Sequence, residues 1–215
     1  MPKPNPVWIF RITHIANLPH VLEHGIVTAS APNRNPSFVQ IGDPEMIQYR
    51  KGRRAPVPPG GVFAEYIPFL FGPRSPMLYQ IATGYDGIQK FPQEDIVYLI
   101  GSVEKLMECD VRFFFSNGHA RTDYSEKFTK VEDLDKLDWD AIYSADWRND
   151  SEHPGRKDRK QSELMAKDWV PKECLLKIGV YNERASDRVR LYLQHAGMEH
   201  LEIHLSPKKL YYDHL

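Results

Sequence analysis

Apolar and polar positions along this chain switch repeatedly between strand-like and helix-like spacing. Val7 to Thr13 is rich in β-branched and aromatic residues and predicts a strand. Asn17 offers a cap for a following helix through roughly Glu23, which His24-Gly25 stops. Ser30 to Gly42, dense in Ser, Asn, Pro and Gly, predicts a loop, and Pro44 to Arg50 a short helix. Asp95 to Ser102 predicts a buried strand, with a short helix after it that ends near Cys109. Arg112 to Phe115 predicts another strand, stopped by the turn Ser116-Asn117-Gly118. Between His119 and Asp158 the pattern is weak; Leu134, Leu137, Trp139 and Ile142 suggest one helix. Leu176 to Tyr181 predicts a strand, Ala185 to Ala196 an amphipathic helix closed by Gly197, and His200 to Leu205 a last strand.

One stretch fits neither period. Tyr66 to Tyr79 packs three prolines, four aromatics and Arg74 into fourteen residues. It makes a poor helix, and proline in a strand belongs at edges or bulges. The expectation is a short strand, Tyr66 to Phe71, running into a turn at Gly72-Pro73 with Arg74 beside it. A Pro-rich core connection is the plainer alternative. Strands and helices interleave without a regular βαβ rhythm, which points to α+β with a mixed sheet.

With 215 residues, 41% of them hydrophobic and 27% charged, the chain has the composition of a globular domain and enough material for a core. The whole chain, 1–215, is expected to form one domain. A net charge of −1 leaves any nucleic-acid contact to local basic patches. Cys109 and Cys174 read as buried thiols in a reducing compartment. No apolar run approaches the ~18 residues of a membrane span. The few apolar residues before Arg11 are too short for a signal peptide. The expectation is a cytoplasmic protein without a membrane partner.

Candidate chemistry sits in three places. Arg11, Ile12, Thr13, His14 and Asn17 lie where a strand end enters a helix, a position that can present polar groups to a ligand. They read equally well as solvated residues and helix caps. Arg50-Lys-Gly-Arg-Arg54 and Arg156-Lys-Asp-Arg-Lys160 each carry four basic residues in five. Such runs are usually solvated faces, but they also suit phosphate, which arginine grips in bidentate fashion. Glu163 follows the second run and gains meaning only if the fold brings it to the Arg11–Asn17 segment. His119, after a strand and turn, can face a substrate. Nucleophile, phosphate-loop, dinucleotide-fold and metal-spaced His signatures are absent from the sequence.

Taken together, the segments resemble the DarT family of toxins, DNA ADP-ribosyltransferases of DarT–DarG toxin–antitoxin pairs. The matching residues are Arg11-Ile-Thr-His-Ile-Ala-Asn-Leu18, the stretch from Ile41 to Arg50, Gly60 to Tyr79, Val111 to His119, Leu137-Asp-Trp139 and Lys160-Gln-Ser-Glu-Leu164. The block from Tyr66 to Tyr79 is the most specific, and the likeness is to the thymidine-modifying branch.

The resemblance implies a single-domain ADP-ribosyltransferase-like α+β fold, with a central mixed, mainly antiparallel sheet and flanking helices. It implies NAD as co-substrate with no metal, ADP-ribose transfer to thymidine in single-stranded DNA, and a DarG-type macrodomain antitoxin as partner. Glu163 falls on the family's catalytic glutamate. Arg50 falls on or near its essential arginine, with Arg54 as the rival. Arg11, Ile12 and Thr13 fall at the nicotinamide end of NAD, and residues 27–54 would cover the dinucleotide. His119, Arg74, Arg156 and Lys160 are the expected DNA contacts, with Tyr124 and Trp147 as aromatic candidates for base stacking. A non-catalytic nucleic-acid-binding module remains the alternative, as does a transferase or NAD glycohydrolase acting on protein or RNA.

Overall fold

The run Ile-Val-Tyr-Leu-Ile-Gly-Ser at 96–102 is buried at every position, which requires a sheet covered on both faces. The structure, a computed structural model, describes residues 1–212, the Arg50 side chain excepted. Its first half comprises β1 (Trp8–His14), α1 (Leu18–His24), β2 (Ile26–Val27), α2 (Pro44–Gly52), β3 (Tyr66–Leu70), α3 (Pro76–Thr83), β4 (Ile96–Ser102) and α4 (Val103–Glu108). There follow β5 (Phe113–Ser116), β6 (Lys127–Phe128), α5 (Trp139–Tyr143), α6 (Arg156–Arg159), β7 (Glu163–Lys167), β8 (Trp169–Val170), β9 (Lys177–Val180), α7 (Glu183–Ala196), β10 (Glu202–Leu205) and α8 (Pro207–Leu210).

Eight strands form one sheet in the order β10-β9-β4-β1-β3-β7-β5-β6, while β2 and β8 pair separately. Among the described residues only β9 and β10 run parallel, joined through α7; the other neighbours in this sheet are antiparallel. The expected α+β fold with a mixed, mainly antiparallel sheet is therefore present. Alternate residues of the central strands feed two cores. Ile9, Val97 and Leu99 pack with Val21 and Leu22 of α1 and Val189 and Leu193 of α7. Phe10, Ile12, Tyr98 and Ile100 pack with Leu78 and Ile81 of α3 and with Leu210 and Tyr211 near the C-terminus.

The one helix suggested by Leu134, Leu137, Trp139 and Ile142 is instead a 3-10 stretch, Val131–Lys136, followed by α5, because Asp138 accepts from the Ala141 amide and starts a new helix there. Cys174 is buried as expected, but Cys109 is only half-buried. Two unexpected elements shape the site. Pro76 opens α3, where its missing N–H costs nothing, and Ser75 caps the helix by accepting from the Leu78 amide at 3.1 Å. The second is β7, which fills the gap between β3 and β5. The turn between β3 and α3 holds Arg74 at φ +53°, a left-handed conformation unusual for a side-chain-bearing residue. Tyrosines brace it on both sides. The Arg74 amide donates to the Tyr98 hydroxyl (3.1 Å), and its carbonyl accepts from the Tyr212 hydroxyl (2.7 Å). Gly72 is required just before it, because a Cβ there would meet the Ile142 carbonyl oxygen at 2.3 Å.

The sheet carries its opening in the middle. β1 pairs with β4 along seven residues, Trp8↔Ser102 to His14↔Ile96, yet meets β3 at one pair only, Phe10↔Leu70. Beyond that pair the two strands part. This explains how Pro68 is tolerated inside an eight-stranded sheet: on its β1 side, β3 is effectively an edge.

Candidate active site

A cleft of about 630 Å³ occupies the opening. Its lining includes Phe10 to Thr13 of β1, Pro68 to Leu70 of β3, Gln40 to Asp43, and Met46 and Ile47 of α2. Arg11 reaches across the split and donates from Nη1 to the Pro68 carbonyl at 3.0 Å.

Asn17, 1% exposed, makes no cap to α1. Its Nδ2 donates to Thr13 Oγ1 (3.0 Å) and to the Val39 carbonyl (2.9 Å), while its Oδ1 accepts from the Val39 amide (2.8 Å). One buried amide thus holds the segment that continues into the Gln40–Asp43 wall. His14 is turned elsewhere. Its Nδ1 accepts from the Ala16 amide at 3.1 Å, and its ring meets Phe91 edge-on at 5.3 Å, outside the cleft lining.

Glu163 opens β7 opposite Leu70 of β3, the point where the strand register delivers it to the cleft. It is 6% exposed. Its Oε2 accepts from the Ala120 amide at 2.8 Å and lies 3.2 Å from His119 Nδ1. The sheet split therefore brings Arg11, Thr13, His119 and Glu163 to one cavity.

The loop that supplies His119 is tightly built. Asp158 accepts from the His119 amide and the Ser125 hydroxyl, each at 3.4 Å, and the Thr122 hydroxyl donates to the His119 carbonyl at 2.9 Å. Gly118 allows this approach, since a Cβ there would come within 2.2 Å of Asp158 Oδ2. The same loop places Arg121, Thr122 and Tyr124 on the cleft wall. Arg121, which no sequence pattern singles out, has a buried Nε without a hydrogen-bond acceptor among the described residues.

The basic runs are used differently from the sequence expectation. In the first, Arg53 pairs with Asp123, and Arg54 is exposed and bridges Val62 outside the cleft lining. Arg50 lies in α2, the helix that contributes Met46 and Ile47 to the cleft, but its side chain lies outside the described residues. In the second run, Lys157 alone lines the cleft together with Asp158. Arg156 pairs with Asp150 at 3.2 Å. Lys160 is 1% exposed and donates to the carbonyls of Ile142 (2.6 Å) and Ser144 (3.0 Å), so it cannot present its charge to a DNA strand. Arg74 donates to the Lys208 carbonyl at 3.4 Å and is likewise not part of the cleft lining.

Burial, aided by the charge of Arg74, pushes the Lys160 amine down to about 7. A neutral amine still has two N–H groups for its two carbonyls. From about pH 7 up to the ordinary lysine range, the unfolded chain keeps a proton that the folded chain has released. This group should therefore make stability rise with pH in that window. Urea midpoints between pH 7 and 9 should show the rise, and Lys160→Met should flatten it. The same variant should lose about 2–4 kcal/mol, because two carbonyls lose their donor.

A second recess of about 600 Å³ lies against His24, Asn33, Asp168 and Trp169, away from these groups. Among the described residues no three His, Cys, Asp or Glu side chains gather as a metal site, and no helix is long and apolar enough to cross a membrane.

The family model described as "ssDNA thymidine ADP-ribosyltransferase, DarT" matches residues 10–212. The chain belongs to the DarT family. A DNA ADP-ribosyl transferase of Escherichia coli O127:H6 is 34% identical over 192 residues, 89% of this chain and 86% of that one. Thermus sp. 2.9 DarT in complex with ADP-ribosylated ssDNA superposes with a TM-score of 0.88 at 29% identity, covering 99% of each chain. The same Thermus DarT in complex with NAD+ gives 0.82 at 28% identity, covering 98% of this chain and all of that one. Thermosipho africanus DarTG in complex with ADP-ribose shares the fold at 16% identity and TM-score 0.74, with 94% of this chain covering half of that longer one. The DarT fold expected from the sequence is thus the observed one.

Proposed function

We propose that this chain transfers ADP-ribose from NAD to thymidine in single-stranded DNA, releasing nicotinamide, with Glu163 as its catalytic carboxylate. The observation that carries the reading is the burial of Glu163 at the sheet split, in one cleft with Arg11, Thr13 and His119, in a chain of the DarT family.

The chemistry follows from the bond that must break. As the nicotinamide nitrogen leaves C1′ of the ribose with the bonding electron pair, positive charge develops on the sugar, as in glycoside cleavage. A carboxylate held in a water-poor cleft stabilises that charge without reorganising. The ring nitrogen of thymine then bonds to C1′ and gives up its proton to Glu163, a reading supported by the 3.2 Å approach of His119 Nδ1 to the same carboxylate. Arg11, Ile12 and Thr13 bind the nicotinamide end of NAD, and the Gln40–Asp43 wall, held by Asn17, closes over the dinucleotide. Arg50 is the second catalytic residue, and Arg121 and Lys157 hold DNA phosphates. His14, Arg54, Arg74, Arg156 and Lys160 do not line the cleft and have no part in this proposal.

The chain acts as a single catalytic domain and as a toxin in the cytoplasm, where NAD and transiently single-stranded DNA are both present. Its partner there is a DarG-type macrodomain antitoxin, a pairing supported by membership of the DarT family.

Incubation with NAD labelled in the adenylate moiety tests this directly. Label should appear on thymidine-containing single strands. Label on protein or RNA, or free ADP-ribose alone, would favour the other transferase or glycohydrolase reading, and no turnover would favour a binding module. In the same assay Arg50→Ala should slow labelling at least tenfold more than Arg54→Ala, because Arg54 lies outside the cleft lining.

A further inference from the structure

Four aromatic rings gather at one side of the cleft. Tyr79 of α3 meets Trp147 at 5.9 Å, Tyr212 at 5.6 Å and Tyr85 at 6.4 Å between ring centres. Aromatic clusters usually belong to a core, but this one is open. Tyr85 is 62% exposed, and Tyr79, Tyr85 and Trp147 all line the cleft that holds Glu163. Tyr79 meets Trp147 and Tyr212 edge to face, at 71° and 79°, so neither neighbour lies flat against it.

The cluster is anchored from behind through its polar edges. Trp147 Nε1 donates to the Tyr212 hydroxyl at 2.8 Å, and that hydroxyl donates onward to the Arg74 carbonyl. Tyr212 itself is clamped by Gln93, which exchanges two hydrogen bonds with its backbone, at 2.7 and 3.0 Å. The rings are held in place while the indole stays accessible from the cleft. Lys157 Nζ stands 5.7 Å from the Trp147 ring centre, and no carboxylate is bonded to it among the described residues.

A rigid aromatic surface beside an available ammonium matches the two halves of a nucleotide, base and phosphate. We propose that Trp147, Tyr79 and Tyr85 form a stacking shelf for the DNA base adjacent to the reacting thymine, with Lys157 on the intervening phosphate. This rests on the DNA-modifying reading above and adds a second nucleotide subsite to it.

Position favours DNA over the adenine of NAD as the occupant. Lys157 is followed in the chain by Asp158, which braces the His119 loop, and by Gln161 and Glu163 on the cleft wall. The shelf's ammonium thus shares a chain segment with Glu163 and with the brace of the His119 loop. The wall formed by Phe38 and Gln40 to Asp43 comes from a different part of the chain.

Oligonucleotides carrying one thymidine flanked by either a normal base or an abasic residue provide the test, with labelled NAD as donor. For the unaltered chain, an abasic residue on one side of the thymidine should raise the KM for DNA about five- to a hundredfold. Trp147→Leu should raise the KM for the intact strand to a similar degree and lose most of the sensitivity to the abasic residue, the non-additivity expected of partners in contact. Tyr85→Ala, at an exposed position, should do the same more weakly and guards against misfolding of the Trp147 variant. The KM for NAD at saturating DNA should stay unchanged in both variants.

Indifference of the unaltered chain to abasic residues on either side would overturn the shelf, as would variants that remain as sensitive as the parent. A rise in the KM for NAD in place of that for DNA would assign the rings to adenine and overturn it too. Absence of any label on DNA would instead strike the proposed function itself.

Discussion

Glu163→Gln should lower the rate of ADP-ribose transfer by about 10²–10⁴ while the protein stays folded and binds NAD. Gln is the more informative replacement because Glu163 has two separable duties. Its Oε2 accepts from the buried Ala120 amide at 2.8 Å, and a Gln carbonyl can take over that bond. Its negative charge faces the cleft beside His119, and Gln cannot supply that. Glu163→Ala removes both and leaves the Ala120 amide without its acceptor, at a cost of about 1–3 kcal/mol in stability. The expected pattern is therefore two variants equally poor in single-turnover labelling, with only the Ala variant shifted in urea midpoint. Normal labelling by the Gln variant would show that the charge is not needed and would remove Glu163 from the catalytic role. In cells, a chain carrying either substitution should be tolerated at expression levels where the unaltered toxin arrests growth.

How far the sequence revealed this site depends on which residue is asked about. The strand from Val7 to Thr13 and the buried strand from 96 to 102 were legible because their β-branched and apolar runs are long and bounded. β7 was not legible. Only Leu164, Met165 and Ala166 are apolar in it, a run too short to distinguish strand from helix, and polar residues precede it. The location of Glu163 could therefore not be read from local pattern. It depends on the pairing of β3 with β7, segments about a hundred residues apart, and on the parting of β1 from β3. The family resemblance pointed to Glu163 where periodicity could not.

The basic runs show a different limit. Charge density suggested solvated faces or phosphate sites, but α6 is a single turn, and it sends Lys157 to the cleft, Arg156 to Asp150 and the following Lys160 into the interior. Nothing local marks a lysine that will be buried, because its acceptors, the Ile142 and Ser144 carbonyls, are set by how α5 ends. Of the two readings of Asn17, the helix cap fails for a related reason. Its type and position suit a helix cap, yet tertiary structure offered its amide both backbone groups of Val39.

The cleft itself dictates the second large effect, which concerns the form of the DNA. A thymidine-containing single strand should be labelled at least a hundredfold faster than the same strand in a duplex, at equal salt and base composition. The ring nitrogen of thymine that must reach C1′ is engaged in base pairing at the centre of a duplex. Glu163, only 6% exposed at the sheet split, cannot approach it there. Extruding the base costs a few kcal/mol, which at about 1.4 kcal/mol per tenfold accounts for the expected ratio. The chain offers little with which to offset that cost. Its net charge is −1, and of its two basic runs Lys157 is the one described side chain that lines the cleft. For the same reason binding to the single strand should weaken only shallowly with salt, since few phosphates are neutralised and few counterions released. Placing the thymidine in a mismatch or at a frayed end should restore part of the rate, because the cost of extrusion falls there. Equal labelling of single and fully paired strands would contradict this account of the cleft, and equal labelling of thymidine-free strands would overturn the choice of base.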